Sequence, residues 1–320
     1  MQVFLHIVGN NIVPIFILIA FGYMLSRYFP LDIFTLSKLN FYIFVPIFVF
    51  VNLYSTTIEF ELIQAVLFTL LLLSANMLVG SLLARVRGYD LALKNAFKNS
   101  IMFYNSGNIG VPLITLVFSS SPYIVDGQTP YLFVAVATQV MVLVVQNVTT
   151  NTIGFFNAGR AQMDWRESIA KIFRMPTVYA IPVALVLKAL PIEIANSPIW
   201  PALQFVRQGL IPLALITLGV QLSRTTFDFG DKEVFLAVFT RLIGGPILAI
   251  ILLMTFRLDG ILAQTLMISS AVPTSVNSAL IAVEYRNRPD FASQAVMLST
   301  LLSALTLTGV ISAARIIFPI

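Results

Sequence analysis

The sequence predicts an all-α integral membrane protein of ten transmembrane helices, arranged as a 5+5 inverted repeat in which spans 4 and 9 are broken. Three observations predict it. Of 320 residues, 58% are hydrophobic and only 10% are charged, too few charges to coat a water-facing surface, where roughly a quarter of residues normally carry one. Apolar runs recur at the length of roughly 20 residues that crosses a hydrocarbon core of about 30 Å. Basic residues and helix-breaking residues then fall at regular, alternating places along the chain.

The runs lie near 11–28, 36–54, 61–84, 92–119, 130–153, 170–190, 199–223, 234–256, 260–285 and 291–317. Arg27 and Lys38 separate the first two, and Arg85, Arg87, Lys94 and Lys98 follow the third. Arg160, Arg166, Lys171 and Arg174 follow the fifth, Arg224 and Lys232 the seventh, and Arg286 and Arg288 the ninth. These 14 basic residues occupy alternate connections. The opposite connections hold only Lys188, Arg257 and Arg315, while Arg207 and Arg241 fall inside spans. Basic loops stay in the cytoplasm, so the expected topology has both termini on the extracytoplasmic side of a cell (plasma or inner) membrane. The net charge of +5 is read as this topology signal and not as a nucleic-acid surface. The apolar run after Met1 is long enough to span and has no basic segment before it, so it is expected to be a helix and not a cleaved leader.

The expected domain division is a first five-helix repeat over 1–153, a short cytoplasmic linker over 154–169 carrying Asp164, Trp165, Arg166 and Glu167, and a second repeat over 170–320. The repeat shows in the punctuation. Pro46 in span 2 is echoed by Pro212 in span 7, 166 residues later. Asn105, Ser106, Gly107, Asn108, Ile109, Gly110, Val111 and Pro112 in span 4 are echoed in span 9 by Pro273, Thr274, Ser275, Val276, Asn277 and Ser278. Five spans separate each pair, so the second half enters the bilayer from the other side.

Proline removes a backbone donor and glycine is costly inside a helix. Groups freed at such breaks cost several kcal/mol each in lipid and must face protein or a water-filled cavity. Two broken helices in corresponding positions therefore mark a binding site near mid-membrane. Half-helix N-termini with free N–H groups suit an anion such as a carboxylate. The candidate substrate-binding residues are Asn105, Gly107, Asn108, Gly110, Pro112, Pro273, Thr274, Ser275, Asn277 and Ser278.

At these residues the sequence resembles the auxin efflux carrier family, which includes the plant PIN-formed carriers and many bacterial organic-acid carriers. Asn105 to Pro112 is similar to the family's asparagine followed by Gly–hydrophobic–Pro. Pro273 to Tyr285, ending Ala282, Val283, Glu284, Tyr285, resembles its ninth-helix segment. Thr240, Arg241 and Leu242 with Gly245 and Pro246 resemble the eighth helix, Arg174, Met175 and Pro176 with Tyr179 the start of the sixth, and Leu218 with Gly219 the seventh. The resemblance implies scaffold and transport domains interleaved across both repeats, with the two broken helices crossed. It implies elevator-type, alternating-access transport of a small organic anion, an auxin-like or dicarboxylic acid, and a homodimer. Two departures matter: the central loop is short, and Met175 and Thr177 stand where plant members place asparagines, a difference that bears on auxin itself. Thr177 joins the candidate substrate-binding residues on this resemblance.

Other polar residues carry two readings each. Gln139, Gln146 and Asn147 in span 5 either hydrogen-bond neighbouring helices or help hold a coupling ion, sodium or a proton; Asn52 and Asn76 have the same standing. Arg241 either forms a structural ion pair or a contact to the moving domain, with a coupling-ion or helix-contact role, or, the reading favoured by its position two turns into span 8, snorkels to the headgroups. Arg207 either snorkels or attracts an anion, and Glu284 is expected to pair with Arg286 or Arg288. His6 lies too near the terminus for a buried relay. With no cysteine and one histidine, no cofactor or metal centre is expected. An enzyme or ATP-driven pump lacks its motifs; a channel-like facilitator of small anions is the alternative to a carrier.

Overall fold

The computed structural model describes residues 5, 7–55, 60–159, 176–190, 193–224 and 230–320. His6, Arg160 to Arg174 and Met175 lie outside the described residues, and with them most of the expected linker. Within the described residues the regular structure is helical. In chain order it comprises α1 (Val8–Tyr28), α2 (Ile33–Ser55), α3 (Phe60–Val86), α4 (Leu91–Met102), α5 (Ser106–Phe118), α6 (Leu132–Ala158), α7 (Pro176–Ala189), α8 (Trp200–Leu222), α9 (Lys232–Thr255), α10 (Gly260–Ser270), α11 (Val276–Glu284) and α12 (Pro289–Ile317). Seven of these, α1, α2, α3, α6, α8, α9 and α12, are long and apolar enough to cross a membrane; α5, α7 and α10 are apolar but shorter.

Local chemistry explains the helix ends. Asp32, Asp90 and Asp231 each sit in extended backbone before a helix and accept N–H groups of its first turn, from Thr35, Leu93 and Glu233 among others, satisfying donors that have no carbonyl to reach within the helix. The Asp90 carboxyl is held below its usual range by the Leu93 N–H and then by Arg288. Arg288 pairs with Asp90. α6 continues past the expected end at 153 to Ala158. There Phe155 packs edge-on against Tyr285 at 5.7 Å and Asn157 donates to Asn99.

Prolines inside the helices have a repeated solution. Pro14, Pro46, Pro112 and Pro246 each follow a five-residue π turn, Val8–Ile12, Asn40–Phe44, Ser106–Gly110 and Thr240–Gly244. Proline cannot donate to the carbonyl four residues back and its ring crowds that carbonyl. In each π turn the residue just before the proline donates five residues back, as Val111 does to Ser106. The wider turn makes room for the ring and leaves fewer carbonyls without a donor.

The helices pack as two groups. α1, α2, α7 and α8 pack mainly on one another, and α3 to α6 pack with α9 to α12. Leu78, Leu82, Leu305 and Ile316 point outward and are more than half exposed, as expected where lipid replaces water. The closest helix approach is α1 on α8, across Gly22 and Gly219. A Cβ on Gly22 would run into the Ile216 carbonyl oxygen, and one on Gly219 into the Ile19 carbonyl oxygen. Backbone cannot yield there as a side chain could. Gly219→Ala is therefore expected to lower the unfolding temperature in detergent, at a cost of about 1–3 kcal/mol. Gly309→Ala, with nothing within 4 Å of the added carbon, should leave it unchanged or raise it.

Candidate functional site

The stretches 92–119 and 260–285 are each divided into two helices, and the two breaks meet. Tyr104 and Thr274 form an antiparallel bridge: Asn105 N–H donates to Pro273 C=O at 2.8 Å, and Ser275 N–H donates to Phe103 C=O at 2.8 Å. The remaining donors are also used. Phe103 N–H reaches Asn99 C=O, Tyr104 N–H reaches Gln146 Oε1 at 3.2 Å, and Thr274 N–H reaches Ser299 Oγ at 3.1 Å. Every N–H from 103 to 106 and from 271 to 275 has a partner, proline apart, as buried backbone requires.

Arg241 closes the other side of the junction. It is fully buried, which rules out the snorkelling reading. Its Nη1 donates to Ile101 C=O at 2.8 Å and its Nη2 to Ser270 C=O, so one guanidinium serves the last turns of both α4 and α10. Carbonyls at helix C-termini carry the negative end of the dipole, and a planar, permanently charged fork suits two acceptors. The group also lies over the Tyr104 ring, 4.9 Å from its centre.

Against the opposite face of the junction lies a small polar cavity of about 30 Å³, lined by Phe41 and Val45 of α2, Tyr104 to Asn108, Leu143, Gln146, Asn147 and Thr150 of α6, and Ser275 to Asn277. That volume is about one water's share of liquid. Asn105 caps α5 by accepting the Asn108 N–H at 3.2 Å. Its Nδ2 is buried without a partner. Ser275 caps α11, accepting the Asn277 N–H at 3.3 Å. The caps consume part of the expected supply of free N–H groups; Gly107 and Val276, in the first turns, have no carbonyl of their own helix to bond. Phe41 and Asn277 also line a larger cavity of about 500 Å³, which extends past Phe34, Asn151 and Pro176 to Glu284.

Of the sequence-predicted site residues, Asn105, Gly107, Asn108, Ser275 and Asn277 come together around the small cavity. Five others hold the junction or lie behind it. Pro273 supplies the carbonyl for Asn105. Thr274 spends its hydroxyl on Ser100 C=O at 2.9 Å, and Ser278 spends its own on Asn99 C=O at 3.3 Å. Gly110 admits Gln139, whose Nε2 would meet a Cβ there and instead donates to Ser106 C=O at 2.8 Å. Pro112 is buried inside α5. Thr177 is buried in α7 and does not itself line either cavity; its neighbour Pro176 lines the larger one. Gln146 and Asn147, read from the sequence as helix contacts or coupling-ion ligands, line the cavity together with Thr150. Their spacing, with Leu143 and Asn151, is the one-face helical period, a signal present in the sequence.

An apolar helical protein with a polar, water-sized cavity at a junction of broken helices has the architecture of a membrane transporter, where irregular backbone lines a path and not the lipid. The chain belongs to the membrane transport protein family, the auxin efflux carrier-like group, which it matches over residues 7–311. It is similar to an uncharacterized transporter of Methanothermobacter thermautotrophicus, 22% identical over 306 residues that cover 93% of this chain and 95% of the relative. It is also similar to a Rhizobium meliloti protein provisionally named a malonate transporter, 28% identical over 115 residues, 36% of each chain.

The double role of Arg241 makes its loss costly. Arg241→Met leaves two buried carbonyls without donors and should lower unfolding stability by about 3 kcal/mol. Arg241→Lys, which lacks the fork, should fall between the two. Thermal unfolding in detergent reads both, and unchanged melting of the Met variant would contradict the capping role.

Proposed function

We propose that the chain is a secondary carrier of small organic anions, carboxylates above all, and that the cavity at the meeting of the two breaks is its substrate site. The single observation that carries this reading is the Asn105 side chain: its oxygen is committed to a helix cap while its Nδ2 donor stays buried and unpaired at a polar cavity. An unsatisfied donor in an apolar protein is costly, and a carboxylate oxygen would satisfy it. The first turns of α5 and α11 add the positive ends of two helix dipoles at the same place.

On this reading α4 with α5 forms the fourth crossing and α10 with α11 the ninth, in a ten-span, 5+5 inverted repeat over 1–153 and 170–320, with the termini outside. The anion enters through the larger cavity. Phe41 and Asn277, shared by both cavities, part to admit it, since the inner space holds only about one water in this state. The separate packing of α1, α2, α7 and α8 supports an elevator in which that group stays fixed and the remainder carries the site. Sodium or a proton as coupling ion, and a homodimer formed through the fixed group, belong to the same proposal. The name of the Rhizobium relative makes malonate the first substrate to test.

Asn105→Asp tests the assignment. It keeps the cap acceptor, removes the Nδ2 donor and sets a negative charge against the substrate. Malonate counterflow in proteoliposomes should fall about 10- to 100-fold, the value of one charge-assisted hydrogen bond, with melting little changed. Asn105→Ala should lose transport as well and also about 1 kcal/mol of stability, because the cap goes with it. Wild-type counterflow by a folded Asp variant would sink the proposal.

A further inference from the structure

A third cavity lies on the other side of the central one along the same helices. It measures about 200 Å³ and is lined by Phe48, Thr115, Leu132, Val136, Arg207, Gln208 and Ile211. Its relation to the central cavity follows from helix geometry. Phe48 is one turn of α2 beyond Val45, Val136 is two turns of α6 before Leu143, and Thr115 is two turns of α5 beyond Asn108. The larger cavity leaves the centre in the opposite sense, through Asn151 and Phe155 of α6. Between the two lies a plug of buried apolar side chains that includes Val45, Phe48 and Val140.

The chemistry of this cavity differs from that of the other two. The central cavity has no charged lining residue and the larger one has only Glu284. Here Arg207 supplies a guanidinium. It lies only partly exposed in α8, with Nη1 donating to Gln204 Oε1 at 3.2 Å and its plane 6.0 Å from the centre of the Phe133 ring. No acidic side chain forms an ion pair with it among the described residues. A partly desolvated arginine held by one neutral amide and a ring keeps most of its five donors for a guest, and its fork matches a carboxylate in two-point geometry.

We propose that the Arg207 cavity is a second anion site, a carboxylate-capture vestibule on the face opposite the Phe34–Glu284 cavity, separated from the central site by the Val45–Phe48 plug. This deepens the carrier reading and rests on it for the fate of the captured anion, but binding at Arg207 is measurable separately. The capture site would raise anion concentration at one entrance, and its charge would bias loading from that face.

The absence of cysteine makes Gln208→Cys a single-thiol probe in the full-length protein. An anionic, membrane-impermeant thiol reagent should modify it faster than a cationic one of equal size, malonate should slow the reaction, and Arg207→Gln in the same background should remove both effects. In proteoliposomes Arg207→Gln should raise the malonate KM about tenfold from the Arg207 face, as expected for one lost charge-assisted bond, and leave the other face unchanged. Arg207→Lys should recover part of the loss. Equal rates for the two reagents, no protection by malonate, or an equal rise in KM on both faces would overturn the proposal. Malonate counterflow without protection of Gln208→Cys overturns this inference alone. Protection without counterflow leaves it standing and removes the carrier reading of the central cavity.

Discussion

The constraint on which this protein depends is that backbone freed inside an apolar molecule must find partners within it. Two helices are broken, at 103–105 and 271–275, and neither break satisfies all of its own groups. Each supplies what the other lacks: Asn105 N–H with Pro273 C=O, and Ser275 N–H with Phe103 C=O. Arg241 then takes the carbonyls left at the ends of α4 and α10. With these bonds the breaks stay together; without them each would leave several unpaired groups, at several kcal/mol apiece in hydrocarbon. The place of the cavity follows, because it is bounded by the first turns that emerge from the paired breaks.

Polar side chains in the interior divide by what they touch. Gln139, Thr274, Ser278 and Ser299 are spent on backbone at the junction. Asn99 links α4 to the end of α6 by donating to Gly154 C=O at 2.9 Å and accepting from Asn157, which in turn accepts from Lys98 Nζ at 3.3 Å. The lining of the cavity overlaps this set only in part: Gln146 accepts the Tyr104 N–H, and Asn105 and Ser275 cap the helices that emerge from the breaks. A rigid frame of satisfied bonds thus surrounds a few groups that are left with capacity, the arrangement a binding site needs if it is to be shaped before its guest arrives.

Much of this was legible in the residues. The Gly and Pro punctuation around Asn105 and Pro273 located both breaks, since those residue types are costly in a helix interior whatever surrounds them. The sequence could not say which side chains at a break turn inward. Thr274 and Ser275 are neighbours with similar hydroxyls; one is tied to Ser100 and the other caps α11 beside the cavity, a choice made by the partner helix. Arg241 was misread for a related reason. Two turns of helix is a distance a long side chain spans, so snorkelling looked cheaper than burial. Burial wins because two carbonyl termini converge on that position, which only the tertiary arrangement reveals. Thr177 was carried by resemblance alone; it is buried in α7 next to Pro176, which lines the larger cavity.

The position of Arg241 also bears on the proposed anion site. Its charge lies over the Tyr104 ring, and Tyr104 is among the residues that line the cavity. On the proposed reading, an anion in the cavity would feel a positive potential through low-dielectric surroundings but would make no ion pair, because the guanidinium is engaged by carbonyls. A direct, desolvated ion pair would hold a carboxylate strongly and slow its release. Neutral donors with a cation one layer back favour the anion while leaving it exchangeable, which a carrier requires, since each guest must leave for the next to enter. On the proposed carrier reading, the charge that caps both broken helices is also the source of the field that favours an anionic guest.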